Sequence, residues 1–141
     1  MHNNKTNTLY LQISTLDGIF FENEINSVSL PTVWGGSIVF QPNHSPFIAN
    51  IALGQLKINQ INEQNPKICA ISGGLVYVID NTIKIITDDI VFRENINVDE
   101  LKQERDKIVE LLKINDQKNN DLDLQLRNIN NKINIYTKFL N

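Results

Sequence analysis

LVYVIDNTIKII, residues 75–86, is the stretch that most directly indicates how this chain folds. Apolar residues alternate with their neighbours in both halves of it: Val76 and Val78 in the first, Ile83 and Ile85 in the second. A period of two places alternate side chains on one face of a β-strand. Asp80 and Asn81 lie between the halves and tolerate the positive φ that a two-residue hairpin turn requires. The segment therefore predicts an antiparallel hairpin. Because both faces of residues 75–79 are apolar, the first strand is predicted to be covered on both sides.

The same alternation recurs towards the N-terminus, with short turn sequences between the segments. It occurs in LYLQIS, SVSL and QLKIN and gives these core-facing sets: Leu9, Leu11 and Ile13; Val28 and Leu30; Leu56 and Ile58. LDG, PNHSP and NEQNP supply turn residues, and Gly73-Gly74 allows a sharp turn or bulge before the hairpin. Short strands at this spacing predict an antiparallel β-sandwich or barrel that extends to about Asp89.

The periodicity changes to three and four after Arg93. Asn97 and Glu100 have the spacing of a capping box at the start of a helix. Two runs with helical spacing follow, separated by NDQKNN: Val98, Leu101, Arg105, Ile108 and Leu112; then Leu122, Leu126, Ile129, Ile133, Tyr136 and Leu140. This pattern predicts an antiparallel helical hairpin whose apolar seam must be buried, because each helix alone is marginally stable in water. Arg105 interrupts a narrow seam, so the hairpin is a candidate for an element that can open.

The sequence thus predicts an α+β protein in two parts. Residues 1–92 are expected to form a β-sandwich domain and residues 93–141 a helical hairpin domain. A chain of 141 residues with 41% hydrophobic residues is large enough to bury a packed core.

Charge and composition exclude several classes of partner. Residues 1–92 contain four basic and seven acidic residues and residues 93–141 nine of each, so no basic stripe predicts nucleic-acid binding. The apolar runs fall short of the ~20 residues of a membrane-spanning helix, and MHNNKTNT lacks the apolar core of a signal peptide. Cys69 is the sole cysteine and lies in an apolar run, which predicts a buried thiol.

Residues that could carry chemistry are few. His44 has no obvious nucleophile to activate, and its neighbours Asn43 and Ser45 are typical turn residues. Asp88-Asp89 lacks a second group of oxygen ligands at calcium-binding spacing. ISGG and WGGS lack the lysine that ends a phosphate-binding loop. We therefore predict no catalytic residue, no cofactor and no metal site.

Residues 30–47, LPTVWGGSIVFQPNHSPF, combine three prolines and two adjacent glycines with the only tryptophan, Trp34. Proline removes a backbone donor and glycine permits positive φ, so a bent backbone is expected here instead of an uninterrupted strand. A ligand site, a catalytic loop and a docking surface are each compatible with this composition.

Several motifs together resemble the epsilon subunit of F-type ATP synthases. They occur in the family's order from about Leu9 to the C-terminus: LQISTLDGIFFENEINSVSLPT, QPNHSPF and ISGGLVYVIDNTIKIITDD, then a charged helical pair. The most specific parts are LPT, PNHSP and the SGG…V…DN…I…D pattern. The resemblance implies a β-sandwich of about ten strands, a C-terminal helical hairpin and no catalytic activity.

The resemblance also implies a role in a rotary machine. In that family the subunit binds the foot of the gamma subunit and touches the polar loops of the membrane rotor ring. Its hairpin can extend into the alpha/beta catalytic head and hinder ATP hydrolysis. The prolyl loop is then interpreted as a docking surface, with partner contacts expected at Trp34, Gly36, Ser37 and His44, because a preshaped aromatic surface loses little entropy on binding. The expected location is peripheral, on the cytoplasmic face of a bacterial plasma membrane, or on the inner membrane of an organelle that encodes the chain.

The ring-facing loop departs from the family's pattern. Aligned back from Pro42, Val39 stands where a second glycine is usual, and Trp34-Gly35 resembles a one-residue insertion. These changes are expected to reshape the loop.

A second departure concerns nucleotide binding. Some bacterial members bind ATP through Ile-Asp-x-x-Arg-Ala at the start of the helices, where this chain reads INVDEL. Asn97 replaces the acid and Glu100 replaces the arginine. Because a carboxylate repels phosphate, we predict that this chain does not bind ATP.

A function from another class is also compatible with the residues. A free-standing β-sandwich could bind a ligand or protein through the Trp34 loop and dimerise through its helices. A dimer without affinity for gamma would favour this alternative, and an enzyme built around His44 is a third hypothesis.

Overall fold

The computed structural model describes residues 7–114 and 119–138. The chain divides into two compact units, Met1–Ile90 and Val91–Asn141. The division predicted from the sequence falls at residues 92 and 93. Within the described residues, no helix is long and apolar enough to span a bilayer.

The described part of the first region forms a β-sandwich-like sheet of nine strands, against about ten expected. The strands are β1 (Leu9–Thr15), β2 (Gly18–Thr32), β3 (Gly36–Phe40), β4 (Phe47–Ile51), β5 (Gly54–Gln60), β6 (Lys67–Ile71), β7 (Gly74–Ile79), β8 (Thr82–Ile86) and β9 (Ile90–Phe92). The order across the sheet is β1-β8-β7-β4-β2-β5-β6-β9, with β3 paired to β2 and an additional pairing of β1 with β2. The recurring alternation therefore predicted the correct class of fold.

The long strand β2 connects the two halves of the sheet. Its first half pairs with β1 and its second half with β5 and β3, and the register shifts between Ile25 and Ser27 where the strand passes from one half to the other. Strands β1 and β8 pair in parallel, whereas the other registers resolved are antiparallel. The parallel pair is a departure from the antiparallel arrangement expected from the sequence.

Alternate residues of the strands fill the core, as the period of two predicts. The buried set includes the sequence-predicted residues Leu9, Leu11, Ile13, Val28, Leu30, Leu56, Ile58, Val76, Val78, Ile83 and Ile85, together with Ile25 and Phe40. Cys69 lies in β6 and is fully buried, in agreement with the prediction of a buried thiol.

The hairpin of β7 and β8 is confirmed, and one prediction about it is wrong. Ile79 pairs with Thr82 across the two-residue turn, and Asp80 and Asn81 both have positive φ, at 50° and 61°. Residues on the second face of β7 are exposed in this chain, whereas apolar residues on both faces predict a strand covered on both sides. Burial among the described residues thus does not explain the apolar character of that face.

Two helices, α1 (Val98–Ile114) and α2 (Asn120–Lys138), form the C-terminal hairpin. Asn97 caps α1, since its Oδ1 accepts a hydrogen bond of 3.2 Å from the backbone N–H of Glu100. Asn119 caps α2 through bonds from the N–H groups of Asp121 and Leu122. The NDQKNN link falls largely on residues 115–118, outside the described residues.

The seam of the hairpin is an apolar cluster. Ile108, Ile129 and Ile133 are buried in it, and these residues pack against them: Val98, Leu101, Leu112, Leu122 and Leu126. Arg105, which interrupts the predicted seam, is partly exposed, and its Nε lies 3.5 Å from Asp106 Oδ1. Leu140, the last predicted seam residue, lies outside the described residues.

Candidate partner-binding surfaces

Trp34 lies at the tip of the turn between β2 and β3. Thr32 holds the turn, because its hydroxyl donates to the carbonyl of Gly36 at 2.7 Å and accepts from the N–H of Gly35 at 3.0 Å. Gly36 has φ of +68°, a conformation that favours glycine. The Trp34 side chain is 93% exposed, although tryptophan is among the most buried residue types on average.

The neighbouring turn between β4 and β5 supports the Trp34 turn. The Val33 N–H donates to the Asn50 carbonyl at 3.0 Å, and the Ala52 N–H donates to the Pro31 carbonyl at 2.9 Å. These bonds satisfy backbone groups at the end of β2, including the carbonyl of a proline within a strand. Hydrogen bonds to Thr32 and to the neighbouring β4–β5 segment therefore fix the backbone of the turn, while the Trp34 side chain contacts solvent.

His44 lies in the connection between β3 and β4 and packs against aromatic rings. Its ring centroid is 5.0 Å from that of Phe40 and 6.0 Å from that of Phe47, both in edge-on geometry. Its Nδ1 is 2.7 Å from the Ser45 carbonyl oxygen. The Asn43 N–H donates to Asn81 Oδ1 at 2.6 Å, so the loop is also tied to the β7–β8 turn. This packing holds the imidazole in place.

The structure separates the four sequence-predicted contact residues into two groups. Trp34 lies in the turn before β3, Gly36 and Ser37 begin the strand, and His44 follows its end. The five residues of β3 extend the chain by roughly 13 Å between Gly36 and Phe40. The segment that the sequence presented as one bent loop is thus two loops joined by a strand.

A third surface, which was not predicted from the sequence, is an exposed apolar face on the sheet. We call it the outer face, and it consists of Ile48 in β4, Leu75, Tyr77 and Ile79 in β7, and Ile86 in β8, which are 37–63% exposed. Ile48 pairs with Tyr77, and Leu75 pairs with Ile86, so these side chains are neighbours across the strands. The sequence does contain a signal for this face, because both faces of β7 are apolar. That signal was interpreted above as burial on both sides. The same pattern also fits a strand with one face in the core and one face for a partner.

Polar residues border the outer face on β8, β1 and β2. Lys84 pairs with both Tyr77 and Gln12, and Gln12 pairs with Glu22. The Tyr10 hydroxyl and the Gln12 amide both donate to the Glu22 carboxylate. The hydrogen bond from Tyr10, followed by that from Gln12, lowers the pKa of Glu22 below its usual value, and the same bond to Glu22 raises the pKa of Tyr10. An apolar centre with a polar rim is the usual anatomy of a protein interface.

Acidic residues line a cleft of about 250 Å³ beside the β1–β2 turn. Asp17, Asp88 and Asp89 contribute to it together with Thr15. Across residues 7–114 and 119–138, no group of three or more His, Cys, Asp and Glu side chains has the arrangement of a metal site.

The start of α1 forms a smaller cleft of about 170 Å³ within the helical unit. Its charged lining consists of Glu100, Glu104 and Lys132, with the Asn97 cap beside them. Two carboxylates and one ammonium group make this a poor site for a polyphosphate, which needs several cations or backbone N–H donors.

The described residues thus define a β-sandwich with a helical hairpin, and the sandwich exposes several large apolar side chains. The family model for the beta-sandwich domain of the ATP synthase delta/epsilon chain matches residues 8–93. An ATP synthase epsilon chain from Mycoplasma mobile is 38% identical over 138 residues, covering 96% of this chain and 95% of its own length. An epsilon chain from Mycoplasmopsis pulmonis is 36% identical, covering 90% of this chain and 92% of its own length.

Solved structures share the fold. A chain in the Euglena gracilis mitochondrial ATP synthase, in a structure of OSCP, F1 and c-ring, superimposes with a TM-score of 0.74 at 16% identity, covering 92% of this chain and 82% of that one. A chain in the central stalk and c-ring structure of the Tetrahymena thermophila mitochondrial ATP synthase gives a TM-score of 0.61 at 18% identity, covering 95% and 96%. The family model and the sequence matches show that the chain belongs to the ATP synthase epsilon chain family, whose members are non-catalytic accessory subunits.

Proposed function

We propose that this chain is a rotor subunit of the central stalk of an ATP synthase and that its outer face binds the gamma subunit. Five large apolar side chains on one sheet face, unburied by the chain's own described residues, are the observation that carries the proposal. Burying such side chains stabilises a complex through the hydrophobic effect, and the polar rim of Lys84 and Glu22 would fix its orientation. We propose gamma as the partner because the chain belongs to the epsilon family and the resemblance implies that members of this family bind gamma.

Co-purification with gamma tests this assignment. Ile48→Asp places a carboxylate within the outer face, and because Ile48 is 63% exposed the substitution leaves the core untouched. We expect it to reduce recovery of gamma with a tagged copy of the chain at least tenfold, since a buried unpaired charge is costly. Leu16→Asp introduces the same charge at an exposed apolar residue of the β1–β2 turn and is expected to leave gamma binding unchanged. Equal recovery with both variants would contradict the proposed surface.

The β2–β3 turn and the His44 loop are proposed to contact the membrane rotor ring. The proposal includes the four residues expected from the sequence, Trp34, Gly36, Ser37 and His44. Their support is the fixed backbone of both loops, which lowers the entropy lost on binding. Cysteine cross-linking from Ser37→Cys to the ring tests the contact, with Asn62→Cys in the β5–β6 turn as the control. Cross-links only from the control would refute it.

The helical hairpin is proposed to restrain ATP hydrolysis by reaching the alpha/beta head. A small apolar cluster with three buried isoleucines holds the hairpin together, which favours an element that can rearrange. Truncation after Asn95 is expected to leave assembly with gamma intact and to raise the ATPase rate of the complex. Loss of assembly on truncation would show that the hairpin has a structural role in the stalk.

The proposed location is the cytoplasmic face of a bacterial plasma membrane, where the chain is held by the complex. The bacterial origin of the relatives described above supports this compartment. Stripping the catalytic head and stalk from inside-out membrane vesicles with a chelator at low ionic strength should release the chain together with gamma. Retention of the chain in the vesicles after gamma has been released would contradict a peripheral association.

A further inference from the structure

We infer that the gamma surface covering the outer face carries an anionic group opposite Lys84 and a cationic group opposite Glu22, about 10 Å apart. The inference rests on the proposed binding of gamma to this face and adds the charge pattern of the partner. Three observations support it: the order of the side chains across the sheet, the lack of ion pairs for Lys84 and Glu22, and the fixed position of the Glu22 carboxylate.

One row of five side chains crosses the sheet from β4 to β2. Ile48 pairs with Tyr77, Tyr77 with Lys84, Lys84 with Gln12, and Gln12 with Glu22. Residues paired in this way lie on the same face of a sheet, and neighbouring strands are about 4.8 Å apart. Over roughly 19 Å the row therefore changes from apolar to positive, then to neutral and finally to negative.

The neighbouring row has a similar order. Ile79 pairs with Thr82, Thr82 with Tyr10, and Tyr10 with Glu24. In both rows the negative charge lies on β2 and the apolar side chain on β7. The face is therefore asymmetric, and a partner with complementary charges fits it in one direction only, because the reverse direction brings like charges together.

Lys84 and Glu22 have no counter-charge of their own. Within residues 7–114 and 119–138 neither side chain forms an ion pair, and Gln12 lies between them in the row. Both side chains are exposed. At a separation of about 10 Å, two exposed charges are largely screened from each other at physiological salt. Each charge is thus available to a partner.

A partner that binds the outer face must cover Lys84. Tyr77 lies across from Lys84, and Ile86 follows it by two residues on the same face of β8, so burial of these apolar side chains also removes water from the ammonium group. An interface of standard size buries roughly 800 Å² on each partner, a patch about 28 Å wide, which also reaches Glu22. Covered charges without counter-charges destabilise a complex, so a stable complex requires gamma to supply both.

The Glu22 carboxylate is positioned for a cation. Its Oε1 accepts a hydrogen bond from the Tyr10 hydroxyl, and its Oε2 accepts one from the Gln12 amide at 3.0 Å. Both donors are neutral, so the negative charge remains, and each oxygen retains a further acceptor position. The bond from Tyr10, followed by that from Gln12, lowers the pKa of Glu22, which favours the ionised form. A carboxylate with a fixed position loses little entropy when a Lys or Arg of the partner binds it.

Exchange of the two charges tests the inference. The double substitution Lys84→Glu with Glu22→Lys keeps the net charge of the chain, so general electrostatic attraction to gamma is unchanged. In ~0.05 M salt we expect the exchanged chain to bind purified gamma at least about tenfold more weakly than the original chain, measured by surface plasmon resonance. The difference should shrink in ~0.5 M salt. Circular dichroism would check that the exchanged chain is folded.

Glu63→Lys in the β5–β6 turn is the matched control for the single substitution Glu22→Lys. It makes the same change of charge away from the outer face and should alter the affinity for gamma by less than about twofold. Equal binding of the exchanged and original chains would overturn the inference. If Ile48→Asp abolishes binding in that same series, the proposed binding of gamma stands and only the charge pattern is wrong. If Ile48→Asp also binds normally, both are wrong.

Chemical cross-linking identifies the anionic group directly. A carbodiimide joins an amine to a carboxylate in contact with it, so Lys84 should become linked to an Asp or Glu of gamma. Lys84→Arg keeps the positive charge but lacks the amine, and it should bind gamma without forming this link. If no gamma peptide is joined to Lys84 in the complex, no carboxylate lies opposite it and the inference is wrong.

Discussion

Replacement of Gly74 by alanine should be among the most damaging single substitutions in the sandwich. Gly74 begins β7 with φ of +140°, a region essentially restricted to glycine. An added Cβ would lie 3.1 Å from the Thr87 Cα and closer still to the Ile86 carbonyl oxygen, and both atoms belong to a paired strand or its end. The backbone of residues 86 and 87 cannot move away from the added methyl group without breaking the pairing of Leu75 with Ile86.

Two costs add at this position. Holding an L-residue in this conformation costs about 1 to 3 kcal/mol, and forcing a methyl group against fixed backbone costs a similar amount, so we expect a loss of roughly 3 to 5 kcal/mol. That loss is a large part of the roughly 5–15 kcal/mol that typically separates folded from unfolded domains: about a fifth for the most stable domains and all of it for the least stable. The measurement is urea unfolding followed by circular dichroism, with the slope of the transition checked for constancy.

Gly36→Ala is the matched control because it shares the positive φ but not the collision. Gly36 has φ of +68°, and an added Cβ would meet nothing within 4 Å. Only the conformational cost of about 1–2 kcal/mol applies there. If Gly74→Ala destabilises the chain no more than Gly36→Ala does, Gly74 does not approach the backbone of residues 86 and 87 as closely as the structure shows, and the reasoning is refuted.

Three further predictions concern the helices, the pH dependence and nucleotide. Ile129→Ala should destabilise the hairpin by roughly 2 to 4 kcal/mol, seen as loss of helical circular dichroism at lower temperature, while Leu124→Ala on the exposed side should change it by less than about 0.5 kcal/mol. Since the pKa of Glu22 is lowered in the folded chain, its contribution to stability is present above the carboxyl's unfolded pKa and lost as pH falls through the folded value. Tyr10→Phe should therefore raise the pKa of Glu22 in an NMR titration, and an unchanged pKa would disprove the role of this bond. Titration with millimolar ATP should give no saturable heat, because Glu100 occupies the arginine position of the nucleotide motif; saturable binding would refute that prediction.

Local patterns predicted the strands and helices well because the determining interactions are close in sequence. Val76 and Val78 alternate with exposed neighbours, and Asp80-Asn81 forms the turn whose chemistry identified it. Asn97 caps α1 at the position that the capping box indicated. In each case the physical cause lies within a few residues, so a single sequence contains it.

Features that depend on distant residues were not predictable in the same way. The pattern in LYLQIS gives the buried side of β1 but not its parallel neighbour, because many pairings bury the same face. Similarly, apolar residues on both faces of β7 do not distinguish a strand covered within the chain from one whose second face is exposed to a binding partner. Trp34 and His44 appeared to share a loop because the five-residue strand between them, GSIVF, is short and begins with glycine.

The parallel pairing of β1 with β8 has a consequence for biogenesis. Tyr10 pairs with Thr82, about 70 positions further along the polypeptide. High contact order of this kind slows folding, since a long loop must close before its contacts are formed. On the ribosome β1 can pair early with β2, but its other edge stays open until β8 has emerged. The N-terminal strand thus waits through more than half of the chain's synthesis, an interval in which a chaperone that shields strand edges would be most useful.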